Sequence, residues 1–197
     1  MAQALSSSRL WDNLNMFSEL LGSRLKEELE RRGIRVRDVE VKIGEGSEDS
    51  VRYTVTMYLE LGVAMRLYLD GIYELCNEAV AEKVAEGEVP EEKAEEYVEK
   101  CVDEEKERYD EEYGEPPFRL MFSNRLLRAR VSTLIETDGY VREYVDAVVV
   151  SYSQEPKKWL FEKAEPEDVK RMVEAEVSQI LPEVLRLYQA VKILYER

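Results

Sequence analysis

The sequence contains no histidine and only two cysteines. Without imidazole, any general acid or base must be a carboxylate, lysine, tyrosine or thiol, and the commonest metal-binding side chain is missing. Cys76 and Cys101 lie in segments with helical patterns and do not have the spacing of a zinc site or a disulfide framework. We therefore expect each thiol to be a small buried side chain, and the protein to be non-catalytic, without metal or cofactor.

Long apolar runs are missing as well. No segment approaches the roughly 18 apolar residues that a membrane-spanning helix needs, and Met1 to Leu10 lacks the basic start and apolar core of a secretion signal. The sequence thus predicts a soluble cytoplasmic protein with no membrane partner. Hydrophobic residues make up 44% of the 197, which is enough for a packed domain with an appended element. An excess of Glu over Asp and of Arg over Lys, with few Asn and Gln, is typical of thermophilic proteins.

Regular apolar spacing predicts a helix and then a β-hairpin in the first third of the chain. Apolar residues recur every three or four positions from Leu10 to Leu29, and Gly33 ends the run. Apolar and polar residues then alternate over residues 39–43 and 51–61, on either side of a glycine-containing turn. We expect this hairpin to bury one face.

Residues 63–86 fit two patterns, because their first apolar residues alternate as in a strand while those from Met65 to Val84 also form a helical stripe. The helix-forming composition favours a helix. A second helix is expected over residues 90–113, and it ends at the glycine and prolines that follow.

A second hairpin is expected from two further alternating segments, which cover residues 126–135 and 140–152. A three-residue loop at Thr137-Asp138-Gly139, with glycine in the left-handed position, sets Leu127 opposite Val149 and Arg130 opposite Asp146. The predicted order is therefore α-β-β-α-α-β-β-α. This is an α+β fold, with an antiparallel sheet of two hairpins covered by helices. Residues 1–164 would form the α+β domain, and residues 165–197 a long C-terminal oligomerisation helix.

The most regular pattern lies in that C-terminal helix. Seven apolar residues step by four and three without interruption: Val173, Val177, Ile180, Val184, Leu187, Val191 and Leu194. Such a seam is typical of a coiled coil, with valine and leucine placed as in parallel pairs. The sequence therefore predicts a homo-oligomer with these residues at the interface. The alternative is a helix that packs on the sheet of its own chain.

Charge is strongly segregated, although the formal net charge is −15. Residues 86–115 contain fifteen acidic and four basic side chains, whereas residues 116–135 contain four arginines and no acid. Exposed charges are screened beyond about 8 Å at physiological salt. A negative total charge therefore does not exclude contacts between these arginines and phosphate groups.

Basic and aromatic side chains are interleaved in and after the acid-free stretch. The candidate nucleic-acid-binding residues are Phe118, Arg119, Phe122, Arg125, Arg128, Arg130, Arg142 and Tyr144. Arginines that follow a phosphate backbone, beside aromatic rings that stack on bases, are typical of single-strand binding proteins. The alternative is a structural role, because tyrosine favours strands and Arg130 opposite Asp146 would be an ordinary cross-strand pair.

The order of elements, the basic and aromatic region, the oligomerising helix and the thermophilic composition together resemble the ThermoDBP-related single-stranded DNA-binding proteins of hyperthermophilic archaea. The resemblance is architectural and covers roughly the whole chain. It implies an α+β domain that binds single-stranded DNA through basic and aromatic side chains, and a C-terminal part that assembles subunits. The residues to which the implied contacts extend are Phe118, Arg119, Phe122, Arg125, Arg128 and Arg130.

Two other functions remain as alternatives. In a homo-oligomeric scaffold protein, the acidic helix over residues 90–113 would be a docking surface for basic partners. In an enzyme, a divalent cation would use hard oxygen ligands from a row of carboxylates on one helical face, formed by Asp70, Glu74, Glu78 and Glu82. Carboxylate metal sites in helical bundles normally add histidine, which is absent, so a solvated acidic face is the simpler interpretation of this row.

Overall fold

The computed structural model describes the backbone of residues 2–116 and 118–197, and the side chains of residues 8–116 and 118–197. Within that range the chain has the predicted α+β class, with an antiparallel five-stranded sheet and helices. The elements are α1 (Ala2–Arg31), β1 (Val36–Glu45), β2 (Val51–Tyr68), α2 (Leu69–Ala85), α3 (Ala94–Tyr113), β3 (Met121–Ser123), β4 (Arg128–Thr137), β5 (Val141–Gln154), α4 (Lys158–Glu162) and α5 (Pro166–Tyr195), with one turn of 3₁₀ helix at Glu91–Lys93.

The strands are ordered β1-β2-β5-β4-β3 in the sheet. Strand β1 pairs antiparallel with β2, and residues 138–140 join β4 to its neighbour β5. Gly139 in this loop has φ +97°, in the left-handed region that favours glycine. The sequence patterns do not predict the short edge strand β3, which pairs antiparallel with β4, or the helix α4.

The structure corrects the prediction of a helix over residues 63–86. Strand β2 continues through Tyr68, so α2 starts only at Leu69. The reason is tertiary, because β5 lies beside β2 and supplies backbone hydrogen bonds, together with an ion pair between Glu143 and Arg66. Pairing with a neighbouring strand thus outweighs the helix propensity of this short stretch.

The structure also corrects the register of the second hairpin. Thr133, rather than Arg130, contacts Asp146, and its hydroxyl donates a hydrogen bond of 2.6 Å to that carboxylate. The Asp138 N–H donates a hydrogen bond of 3.1 Å to the Val141 carbonyl, so Asp138 faces Val141 and only Gly139 and Tyr140 lie between them. The turn is therefore shorter and later than predicted. Because the turn sets the pairing of a hairpin, this changes the partner of every residue along the two strands.

The residues fall into two compact units. Unit 1 comprises residues 2–61, 120–131 and 148–197, and it contains α1, β1, β3, α4 and α5. Unit 2 comprises residues 62–116, 118–119 and 132–147, and it contains α2 and α3. The C-terminal helix, expected to be a separate element, therefore belongs to the same unit as α1.

The core of unit 1 lies between the sheet and its helices. The ring of Phe17 on α1 contacts Tyr53 of β2 and Phe161 of α4, with ring centroids 5.1 and 5.4 Å apart. Burial, followed by the nearby charge of Glu176 on α5, raises the pKa of Tyr53. On β2 the odd-numbered residues 51–59 are all buried. Helices α1 and α5 therefore cover the same face of the sheet.

The regular stripe of α5 lies mostly in this core. Five of the seven expected interface residues are at most 4% exposed, namely Val173, Val177, Ile180, Val184 and Val191. They are buried because α5 packs beside α1, and because Tyr188 of α5 donates a hydrogen bond to the Glu60 carbonyl of β2. Among the seven, Leu187 and Leu194 keep accessible surface. Buried side chains cannot line an interface between chains, so α5 is a helix that packs on its own sheet.

Unit 2 has a small core of its own, formed by Leu67, Leu69, Ile72, Cys76, Val102 and Tyr144. A disulfide between Cys76 of α2 and Cys101 of α3 lies at this core, with the two Cα atoms 5.8 Å apart. This corrects the expectation of two unpaired thiols. A sequence separation of 25 residues does not limit the distance between cysteines once their helices pack side by side.

Candidate functional site

Alternation along β4 places two arginines on one surface. Ala129 and Val131 are buried, whereas Arg128 and Arg130 are exposed. Successive side chains of a strand point to opposite faces of the sheet. Both arginines therefore lie on the face opposite to that of Ala129, in unit 1.

This face is turned away from α1 and α5. On β2, Thr54 alternates with the buried Tyr53, which contacts α1. The hydroxyls of Thr54 and Ser153 are hydrogen-bonded at 2.8 Å, so Ser153 of β5 shares the face of Thr54. By alternation, Ser151 and Val149 lie on it as well.

The edge strand β3 extends the surface. Met121 is paired with Arg130 and Ser123 with Arg128, and directly opposed residues of an antiparallel pair lie on the same face. Met121 is 87% exposed. A groove of about 450 Å³, here called the β3–β4 groove, is lined by Met121, Phe122, Ser123, Arg128, Ala129, Arg130, Val149 and Ser151. No carboxylate is among these lining residues.

Phe122 lies between two hollows of unit 1. It is paired with Ala129, and its ring is partly exposed. It lines the β3–β4 groove and also a second hollow of about 250 Å³ beside Leu187 and Ala190 of α5. Because its partner Ala129 lies on the face opposite to Arg128 and Arg130, the Phe122 ring lies on that opposite face, beside α5 at the edge of the sheet. A partly exposed ring at this edge has the properties of a stacking platform for an unpaired base.

Arg125, Arg128 and Arg130 differ from most arginines of the chain in their partners. Within the described residues, these three form neither an ion pair nor a hydrogen bond with a carboxylate. By contrast, every arginine from Arg9 to Arg119 pairs with Asp or Glu. Three neighbouring arginines without acidic partners form a local positive surface in a strongly acidic chain.

Arg125 lies in the tight turn between β3 and β4, here called the 124–127 turn. The Asn124 side chain accepts hydrogen bonds from the N–H groups of Leu126 and Leu127 at 2.8 and 2.6 Å. The Asn124 N–H donates a bond of 2.9 Å to the Leu127 carbonyl. A side chain that bonds its own backbone in this way fixes the turn. Arg125 and Leu126 are therefore held at its tip, where both are exposed.

Phe118 and Arg119 do not line the β3–β4 groove. Both belong to unit 2, and Arg119 forms an ion pair of 2.6 Å with Glu115. Phe118 is partly buried. Their contact with nucleic acid stays a prediction from the sequence.

Tyr144 lies in the core of unit 2 and Arg142 is partly buried beside it, which corrects their assignment to the binding face. Tyr144 is fully buried, and its hydroxyl donates a hydrogen bond to Asp110 of α3. Burial, and then this hydrogen bond, raise the pKa of Tyr144 to about 12. Arg142 forms an ion pair with the same aspartate, and its guanidinium lies 5.9 Å from the centre of the Tyr144 ring. The physical reason is that α3 packs over this part of β5.

Sequence reasoning misses Met121, Ser123, Val149 and Ser151, which line the groove. A strand of three residues is too short to give an alternating signal, and the shifted register hides which residues of β5 accompany Arg128. The one signal that marks this region is the absence of acid from residues 116–135.

The row of carboxylates on α2 lies at the surface of the helix. Asp70, Glu74, Glu78 and Glu82 are exposed. In the part of the chain that the structure describes, no group of three or more His, Cys, Asp or Glu side chains is placed to hold a metal ion. Nor does that part include a helix of the length and apolarity needed to span a membrane.

Comparison with known proteins finds no relative of this chain, since no family model, no curated protein and no solved structure matches it. The function is therefore inferred from its own residues and their geometry.

Proposed function

We propose that the protein binds single-stranded nucleic acid without catalysing a reaction, and that the β3–β4 groove and the 124–127 turn form the binding surface. The observation that carries the proposal is the set of three arginines without acidic partners, Arg125, Arg128 and Arg130. Where an arginine is paired with a carboxylate, that carboxylate would compete with a phosphate for the guanidinium. None of these three arginines has such a competitor among the described residues. The resemblance to the single-stranded DNA-binding proteins named above favours DNA as the form bound.

Phosphate contacts would supply most of the affinity. Arginine presents a planar set of donors that matches the oxygens of a phosphate. Arg128 and Arg130 stand on the same face of β4, two residues apart, and Arg125 lies at the nearby turn. These contacts recognise the backbone and not the bases. We therefore infer binding with little sequence preference.

Apolar side chains of the edge strand β3 would contact the bases. Met121 is exposed on the face of the arginines, and the partly exposed ring of Phe122 lies on the other face of the same edge strand. Stacking of a base on an aromatic ring contributes about 1–3 kcal/mol, and methionine adapts its shape to flat partners. Base faces are accessible only in an unpaired strand. A duplex would also approach as a densely charged rod against a net charge of −15. Both points favour single strands.

Fluorescence anisotropy with a labelled strand of mixed sequence tests the proposal. A length of about 20 nucleotides exceeds the roughly 4–16 that one binding module covers. We expect Arg128→Ala together with Arg130→Ala to weaken binding at about 50 mM salt, and to reduce the slope of log affinity against log salt by about 1.4, or about 0.7 for each phosphate contact.

The matched control removes two other exposed arginines, by Arg108→Ala together with Arg171→Ala. Both of these arginines are held in ion pairs on helices. The control has the same change in net charge but should bind as wild type does. The proposal is wrong if the wild type does not bind single strands at low salt, or if both double variants bind equally well.

A further inference from the structure

Unit 2 contains a groove of about 510 Å³ between α2 and α3, here called the α2–α3 groove. Val80 is buried and Val98 partly buried, so the floor is apolar. The rim is formed by Tyr73 and Asn77 on α2 and by Glu95 and Glu99 on α3. An apolar floor with a carboxylate rim fits a ligand that combines a cation with an apolar group.

The carboxylates of the rim are unused within the chain. Glu95 and Glu99 lie one helical turn apart, and neither forms an ion pair or hydrogen bond with another described residue. Like charges at this spacing repel each other, so a cation between them relieves the repulsion.

The disulfide fixes the two walls of this groove. Cys76 precedes Asn77 on α2, and Cys101 lies one turn after Val98 on α3. A covalent link between the helices at this position holds the distance between the walls. The groove is therefore formed before any ligand enters, which lowers the entropic cost of binding.

The same chain presents a segment with the matching chemistry. The 124–127 turn exposes Arg125 and, beside it, Leu126, which is 38% exposed. Arg125 has no acidic partner among the described residues. The Asn124 side chain accepts hydrogen bonds from the Leu126 and Leu127 N–H groups, which fixes the backbone of the turn. The turn thus presents one exposed cation and one exposed apolar group.

We propose that the α2–α3 groove of one copy of this chain binds the 124–127 turn of a second copy. Arg125 lies between Glu95 and Glu99, and Leu126 packs on the floor at Val98. The two surfaces differ, so the contact is heterologous, and repeated contacts close a ring or extend a chain. This places self-association away from the buried stripe of α5. The proposal does not depend on nucleic-acid binding.

Sedimentation velocity with charge-exchanged variants tests this contact. We expect the average mass of the wild type to rise with protein concentration at low salt and to fall at high salt, because the pair is electrostatic and near the surface. Arg125→Glu, and separately Glu95→Arg with Glu99→Arg, should each weaken self-association by at least about tenfold. An equal mixture of these two variants should associate again, because the acidic turn of the first fits the basic groove of the second, and the basic turn of the second fits the acidic groove of the first.

A matched control is Asp103→Arg with Glu107→Arg, which makes the same change at the same spacing on the exposed part of α3. It should associate as the wild type does. A wild type that remains a single chain at high concentration and low salt overturns the proposal. So does a control that dissociates as much as the rim variant, because net charge would then be responsible. A mixture that does not associate also overturns it, because the contact would then lie elsewhere.

Discussion

The hydroxyl of Tyr144 donates a hydrogen bond to the Asp110 carboxylate, with the two oxygens 3.0 Å apart. The other carboxylate oxygen of Asp110 accepts a bond of 3.1 Å from Arg142. One aspartate of α3 therefore satisfies two side chains of β5 within unit 2. All three residues belong to unit 2, whereas the residues of the proposed nucleic-acid surface belong to unit 1.

Tyr144→Phe should lower the free energy of unfolding by about 1 kcal/mol, the usual net value of a hydrogen bond, and leave oligonucleotide affinity unchanged. Asp110→Ala should cost more, because it leaves both Tyr144 and Arg142 without an acceptor. Urea denaturation measures the free energy of unfolding of each variant, and fluorescence anisotropy measures its affinity for oligonucleotides. If folded Tyr144→Phe binds oligonucleotides less tightly, Tyr144 belongs to the binding site after all.

The disulfide should contribute strongly to the stability of unit 2. Its loop of 25 residues corresponds to about 3.5 kcal/mol in the chain-entropy estimate. Cys76→Ser with Cys101→Ser, or reduction of the wild type, should therefore speed hydrogen exchange in α2 and α3 while the amides of α1 and α5 change less. Peptide mapping under non-reducing conditions verifies the bond. Equal exchange with and without reductant would show that the cross-link does not hold the helices.

Substitutions in α5 should affect folding and not only assembly. Ile180 is fully buried, so Ile180→Glu places a carboxylate in the core of unit 1 and should cost more than about 4 kcal/mol. Leu194 is 44% exposed, and Leu194→Glu should change stability by less than about 0.5 kcal/mol. Thermal melts followed by circular dichroism compare the two. A coiled-coil seam predicts instead that Ile180→Glu gives a folded single chain.

Glu155 should make unit 1 sensitive to acid. Its carboxylate accepts hydrogen bonds from the Ser47 N–H, the Ser50 hydroxyl and Arg52, at 2.7, 2.8 and 3.1 Å, which lower its pKa from 4.5 to about 2. When the pKa of a carboxyl is lower in the folded state than in the unfolded state, its ionised form stabilises the fold at pH values above the unfolded-state pKa. This stabilisation is lost as the pH falls towards the folded-state pKa. Glu155→Gln should therefore be less stable than wild type at pH 7, and the difference should shrink between pH 4.5 and 2. A difference that is constant over this range would contradict the role of the ionised carboxylate.

The sequence predicts the fold well where the pattern is local. The stripe from Leu10 to Leu29 marks α1, and Gly33, with φ +79°, follows its end as predicted. The alternation around the first turn marks β1 and β2. Prediction fails where distant segments decide the outcome. The end of β2 is a strand because β5 lies beside it, and the cysteines pair because α2 packs on α3.

The α5 stripe shows the same limit more sharply. A helix that packs on its own sheet and one that packs on a second chain need the same apolar spacing, so the sequence cannot distinguish them. At the candidate site, Arg128 and Arg130 are identifiable from charge and alternation alone. Arg142 and Tyr144 resemble them in sequence, but α3 covers their part of β5. Whether a strand face is open depends on tertiary packing.

Phe122 provides the most direct test of stacking in the proposed nucleic-acid surface. Because its ring is uncharged, Phe122→Ala should weaken single-strand binding by about 1–3 kcal/mol while the salt dependence stays that of the wild type. Phe122→Trp should retain affinity, since it keeps an aromatic face. Trp159→Ala is the control, because Trp159 is 53% exposed on α4 and does not line the β3–β4 groove.

Anisotropy over a series of salt concentrations, with single-stranded and duplex forms of the same oligonucleotide, measures these effects. Stacked bases of a duplex do not offer their faces to the ring, so duplex affinity should be low for the wild type and unaffected by Phe122→Ala. A loss of salt dependence in Phe122→Ala would mean that the substitution displaces Arg128 or Arg130 and that the ring positions the arginines. Equal affinity of the wild type for duplex and single strand would show that the surface recognises phosphates alone, and the stacking role of Phe122 would be wrong.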